Sequence, residues 1–132
     1  MHTDELKQTI AKNGGEIARL HSAMHEKHRL RNQSTEAHNA WIHAAEQFRS
    51  RYDSLAFPGG YDGALDRMLV GDEFAIEAGI CFLELRPYFF RSGYMFKDIL
   101  RKLRKAPLSA QQQARLQQIE TSVAKWRQSK TA

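Results

Sequence analysis

The sequence is poor in the residues that most readily betray an activity. It carries one cysteine, Cys81. A lone thiol forms no internal disulfide and offers no Cys pair for zinc. Cys81 lies within an apolar run, where a thiol behaves as a small buried hydrophobe rather than a nucleophile. The absence of a disulfide framework points to a reducing, cytoplasmic setting. No apolar run nears the roughly 20 residues that a membrane helix needs, and the opening MHTDELKQTI has no apolar signal core. No membrane partner is expected. The phosphate-cradling patterns G-x-x-x-x-G-K-[ST] and G-x-G-x-x-G are missing, as are G-x-S-x-G and H-E-x-x-H. No cofactor is expected, and no residue is assigned a catalytic role. No alternating strand pattern competes anywhere. Proline is scarce, at three residues, and Pro58, Pro87 and Pro107 punctuate rather than populate the helical patterns.

What is present is helix. The chain is organised around Asp72 to Phe90, DEFAIEAGICFLELRPYFF. From Phe74 to Leu85 the apolar residues cover nearly the whole circumference of a helix, so this segment must be enclosed by the rest of the chain. With 132 residues, one domain is expected across 1–132, large enough for a proper core. The fold class is all-α: five or six helices in an irregular orthogonal bundle or a short helical-hairpin stack.

In chain order, a first helix spans about Asp4 to Arg31, with Leu6, Ile10, Ile17, Leu20 and Met24 as a narrow heptad-like seam. Gly14-Gly15 interrupts it, each glycine costing about 1 kcal/mol in a helix interior. A break there, or a frayed start over residues 1–15, is expected. The seam could also pair with a second copy, giving a homodimer. The next helix, about Thr35 to Leu55, presents His38, Trp41, Ala45, Phe48, Tyr52 and Leu55 on one face. Phe57 to Gly63 is a loop, followed by a short helix to Val70, with Gly71 as its C′ glycine. Asp72 caps the central helix and Pro87 ends or kinks it. Ser92 is the candidate cap of a fifth helix reaching about Lys105. Ser109 and Gln112 form a capping box for the last helix, whose apolar line is Leu116, Ile119, Val123 and Trp126. The tail from residue 128 to 132 is expected to fray.

The run from Phe82 to Tyr94, FLELRPYFFRSGY, followed by a basic amphipathic helix and a Pro-Leu-Ser cap, resembles a pattern in small bacterial all-helical proteins with HEAT-like hairpins. The likeness spans about residues 75 to 116. It implies a helical interaction scaffold and carries no activity with it.

Four groups of residues are candidates for function. Twenty Lys and Arg against fifteen Asp and Glu give +5, and the positive charge concentrates on the fifth helix. Lys97, Arg101 and Arg104 repeat at i, i+4 and i+7, Lys102 and Lys105 widen the stripe, and Arg91 extends it. Such a face can contact phosphates or an acidic protein; its ordinary alternative is a solvated face whose cations also suit the helix dipole. His21, His25 and His28 repeat at i, i+4 and i+7, so they are the candidate metal ligands; a merely polar helix flank is the plainer reading. Glu77 and Glu84 share a side of the central helix, either as a carboxylate pair or as structural ion pairs with Arg67, Arg86 or Arg91. Finally, Tyr61, Tyr88 and Tyr94 sit in two aromatic loops, and Tyr with Arg is enriched at binding hot spots. Alternatively these rings close the ends of the core.

Taken together these features point to a non-enzymatic protein-interaction module, for example an immunity protein or small adaptor. Its partner would be another protein with an acidic surface, met through the basic helix and aromatic loops. RNA or DNA binding through the same helix is the alternative. A histidine-based, metal-dependent helical enzyme comes third.

Overall fold

The structure, a computed structural model, describes residues 3–131. Among these, the chain folds into six α-helices with no strand, around one shared core. The protein is therefore an all-α single domain. Met1, His2 and Ala132, part of the segments expected to fray, lie outside the described residues.

The first two helices, α1 (Thr3–Leu30) and α2 (Thr35–Ala56), form a long antiparallel hairpin. Its register is fixed by side chains: Arg51 reaches Glu16, His21 meets Phe48, and His28 meets Trp41. The link is short because Ser34 caps α2, its hydroxyl accepting from Ala37 N at 3.0 Å. The expected break at Gly14-Gly15 does not occur; α1 is continuous. Gly14 is buried, and a Cβ there would sit 3.5 Å from Phe89 and 3.7 Å from Pro87. Packing on that side outweighs the local propensity cost. The α1 seam is also not left for a second copy. Leu6, Ile10, Ile17 and Leu20 are all buried within the same chain, against α2 and the central helix. His38, expected on the inner face of α2, is exposed.

A short helix, α3 (Ala64–Leu69), leads into α4 (Glu73–Leu85). Gly71 turns the chain between them with φ 90°, and Asp72 Oδ1 accepts from Ala75 N at 2.9 Å as the cap of α4. Every residue from Ala75 to Leu83 is buried. Ile80 and Phe82 are fully so, and burial of each stabilises the fold by about 1.5–3 kcal/mol. The enclosed stretch is shorter than the sequence suggests, because Phe74 and Leu85 at its two ends remain partly exposed. Gly79 lets neighbours come close. A Cβ there would meet Met68 at 3.1 Å and Leu103 at 3.2 Å.

The fifth and sixth helices, α5 (Ser92–Leu103) and α6 (Ala110–Thr131), complete the cover of α4. Ser109 and Gln112 form the expected capping box, with Gln112 N donating to Ser109 Oγ at 3.1 Å and Ser109 N donating to Gln112 Oε1 at 3.0 Å. The described part of the tail is helical as far as Thr131. No helix among the described residues is long and apolar enough to cross a membrane.

Candidate functional site

The turn that joins α4 to α5 is the most distinctive surface feature. Two arginines bracket it, and both adopt left-handed backbone: Arg86 with φ 49° and Arg91 with φ 67°. A non-glycine residue in that region costs about 1–2 kcal/mol, so the surrounding structure must hold it. Three anchors do. Phe89 is buried and packs edge-on against Phe82 and Tyr52. Ser92 Oγ accepts from Phe89 N at 3.0 Å. Tyr52 Oη donates to the Phe90 carbonyl at 2.6 Å. Ser92 is thus the first residue of α5 and not its cap; Arg91 takes the cap position without a side-chain bond.

On this fixed base the turn displays aromatic rings to solvent. Tyr88 is 96% exposed and Tyr94 66% exposed, with Phe90 about half so. The Arg91 guanidinium lies 5.4 Å from the Tyr94 ring centre and 5.9 Å from that of Phe90, a cation–π arrangement that restrains all three. Arg86 turns the other way, between Phe96 and Trp126 at 4.7 and 4.8 Å, and ties α6 to the rest.

The basic stripe continues from this patch along α5 but is partly answered. Lys97, Arg101, Arg104 and Lys105 are exposed on the outer face. Arg101 meets Asp98 at 3.1 Å, and Arg104 meets Glu120 on α6 at 2.8 Å. Lys102 is half-buried and borders a groove with Asp53, Asp62, Asp66 and Arg101. Tyr61 lines that same groove and stands apart from Tyr88 and Tyr94. It packs on Phe57, and its buried hydroxyl has no hydrogen-bond partner among the described residues. Burial, and then the charge of Asp98, push its pKa up to about 12. Among the described residues, Arg91, Lys97, Lys102 and Lys105 therefore form the part of the stripe with no acid in contact, and of these Lys102 is half-buried.

The three candidate histidines divide. His21 and His25 meet through their Nε2 atoms at 3.1 Å. His28 turns to Arg31 and to the Trp41 ring. His21 stacks on Phe90 with ring centres 4.9 Å apart, which joins the histidine pair to the aromatic turn. Burial, and next the neighbouring His25, lower the His21 pKa. No group of three or more His, Cys, Asp or Glu suited to a metal occurs among the described residues.

Glu77 and Glu84 on α4 are engaged in ion pairs within the chain. Arg115 on α6 donates to Glu77 at 2.8 and 2.9 Å and to Glu84 at 2.7 and 3.1 Å. Thr3 and Gln112 also donate to Glu77, and Lys7 lies 3.2 Å from Glu84. Burial raises the Glu77 pKa, but hydrogen bonds from Arg115, Thr3 and Gln112 outweigh it, and the net direction is down. The Arg115 hydrogen bond leads the lowering at Glu84. Two carboxylates held ionised in this way are poorly placed to exchange protons near neutral pH. None of the expected partners is used: Arg67 braces the Phe57–Gly63 loop through Gly60 O and Asp62 O, while Arg86 and Arg91 stack on rings. Arg115 was not foreseen; its one signal is its place beside the Leu116–Ile119–Val123 line.

Comparison of the chain with protein-family models, with characterised proteins and with solved structures returns no match.

Proposed function

We propose that the protein is a non-enzymatic interaction module that binds an acidic protein surface through Tyr88, Arg91, Tyr94 and Lys97. The observation that carries this reading is the exposure of Tyr88 and Tyr94 beside Arg91 on a turn anchored by Phe89, Ser92 and Tyr52. Flexible loops lose much of their contact energy to ordering, whereas a fixed turn does not. Tyr and Arg are also the side chains most often found at hot spots. Arg101 and Arg104, farther along α5, contribute less, because they already face Asp98 and Glu120. The same pairing takes two of the stripe's cations away from the nucleic-acid alternative, which would draw on them for phosphates.

A capture experiment with the purified, tagged protein tests the proposal. One dominant acidic partner should be retained by the native chain and lost by the Tyr88→Ala/Arg91→Glu/Tyr94→Ala variant, while Arg104→Ala still captures it and all melt alike. Equal capture by both variants would remove the turn as the docking surface. Co-purifying material absorbing at 260 nm that leaves in high salt would favour nucleic acid instead.

A further inference from the structure

The histidine pair on α1 is not absorbed by this function, and its geometry is specific. His21 and His25 lie one helical turn apart and converge at their Nε2 atoms, 3.1 Å from each other. An ion that binds two imidazoles at about 2.0–2.1 Å each, with an angle between a right angle and the tetrahedral value, holds its two nitrogens roughly 2.8–3.4 Å apart. The observed separation falls within that interval.

Each ring is also held or open as a chelate requires. His21 is wedged against Phe90, at 4.9 Å and 22° between planes, and against Phe48 at 5.2 Å. His25 stands edge-on to His21 with centres 4.4 Å apart and faces solvent. One ligand is therefore pre-positioned, and the other leaves room for water to complete the coordination.

We propose that His21 and His25 form a two-imidazole site for a borderline divalent ion of the zinc, nickel and copper(II) class. In the metal-free pair, one Nε2 must donate and the other accept. Shifting the donor ring's proton to its Nδ1 frees both Nε2 lone pairs without change of net charge. Imidazole nitrogen suits this class of metal, whereas calcium and magnesium prefer oxygen. With no third His, Cys, Asp or Glu joining the pair among the described residues, binding is weaker than at a closed structural zinc site, and copper(II) should exceed nickel and zinc. This inference does not depend on the docking surface, although Phe90 belongs to both.

The test is calorimetric titration of the full chain with nickel chloride and, separately, zinc chloride. His2 and the terminal amine are common to every variant and act as a constant background. The native chain should take up one ion that His25→Ala weakens at least about tenfold, since loss of a ligand exceeds the 10- to 100-fold cost typical of merely losing a supporting group. His21→Phe, which keeps a ring on Phe90 but removes the nitrogens, should do the same. His28→Ala and His43→Ala should bind as the native chain does. Uptake unchanged in both His25→Ala and His21→Phe, or no uptake by the native chain at millimolar metal, overturns the site. A thermal melt of each variant without metal separates ligand loss from misfolding: His21→Phe and His25→Ala should melt close to the native chain, and when nickel is added the native chain, His28→Ala and His43→Ala should rise while those two should not.

Discussion

Arg115 and Arg91 are the same side chain used in opposite ways. Arg115 is half-buried and shared between Glu77 and Glu84, so its hydrogen-bonding capacity is engaged within the chain. Arg91 is exposed and sits in strained backbone, and among the described residues its guanidinium meets only two aromatic rings. The first closes α6 onto α4. The second leaves its N–H groups for something outside. The difference shows that net charge says little about where this molecule can bind; what matters is which cations have already met an acid.

The largest effect is expected at Arg115. Arg115→Ala leaves Glu77 buried with the neutral donors Thr3, Gln112 and the Cys81 thiol but no cation, and removing one partner of a buried pair costs about 3–5 kcal/mol. A large fall in the urea midpoint is expected. The same contacts set a pH dependence. Glu77 and Glu84 have lowered pKa values in the folded state, so their stabilisation is complete above the ordinary value of 4.5 and declines as the pH falls below it. Acid titration of the native chain should show this loss, and Arg115→Ala should flatten it.

A smaller effect is expected at the glycines. Gly79→Ala places a methyl 3.1–3.4 Å from Met68, Leu103 and Ile99, and overpacking of that kind costs about 1–3 kcal/mol, against roughly 1 kcal/mol gained in helix propensity. A net loss in thermal stability should follow. Gly15→Ala meets nothing within 4 Å and should stabilise by about 0.5–1 kcal/mol. Arg91→Gly acts on the other arginine. It relieves left-handed strain and should raise stability by about 1 kcal/mol, yet should weaken partner capture, a trade expected of a binding residue. The smallest change is at Lys97, where Lys97→Glu should alter the melting temperature little while reducing capture of an acidic partner.

Much of the fold is legible because it is written locally. The all-round apolar pattern of Ala75 to Leu83, the Ser109/Gln112 box and the Gly71–Asp72 junction each lie within a few residues, and each forms as its spacing indicates. What escapes a reading of the sequence is long-range. The Glu77–Arg115 pair spans 38 positions, and Arg104–Glu120 joins two helices. Gly14-Gly15 looks like a break only until Phe89 and Pro87, far along the chain, pack against it. Ser92 shows a subtler limit: the right residue type for a cap sits one position late and bonds Phe89 N instead. The exposed Tyr88 and Tyr94 could be named from sequence as binding candidates, but their separation from Tyr61, and the meeting of His21 with Phe90, depend on how α1 and α2 lie over the turn.

Cys81 gives the molecule a clock of its own. Its sulfur is completely shielded in the middle of α4, and shielding, with Glu77 next, lifts its pKa to about 11. A thiol reagent finds almost no thiolate and no path to it while the bundle is closed. The rate at which the native chain is alkylated therefore reports how often the whole helix comes free, and does so without any introduced label.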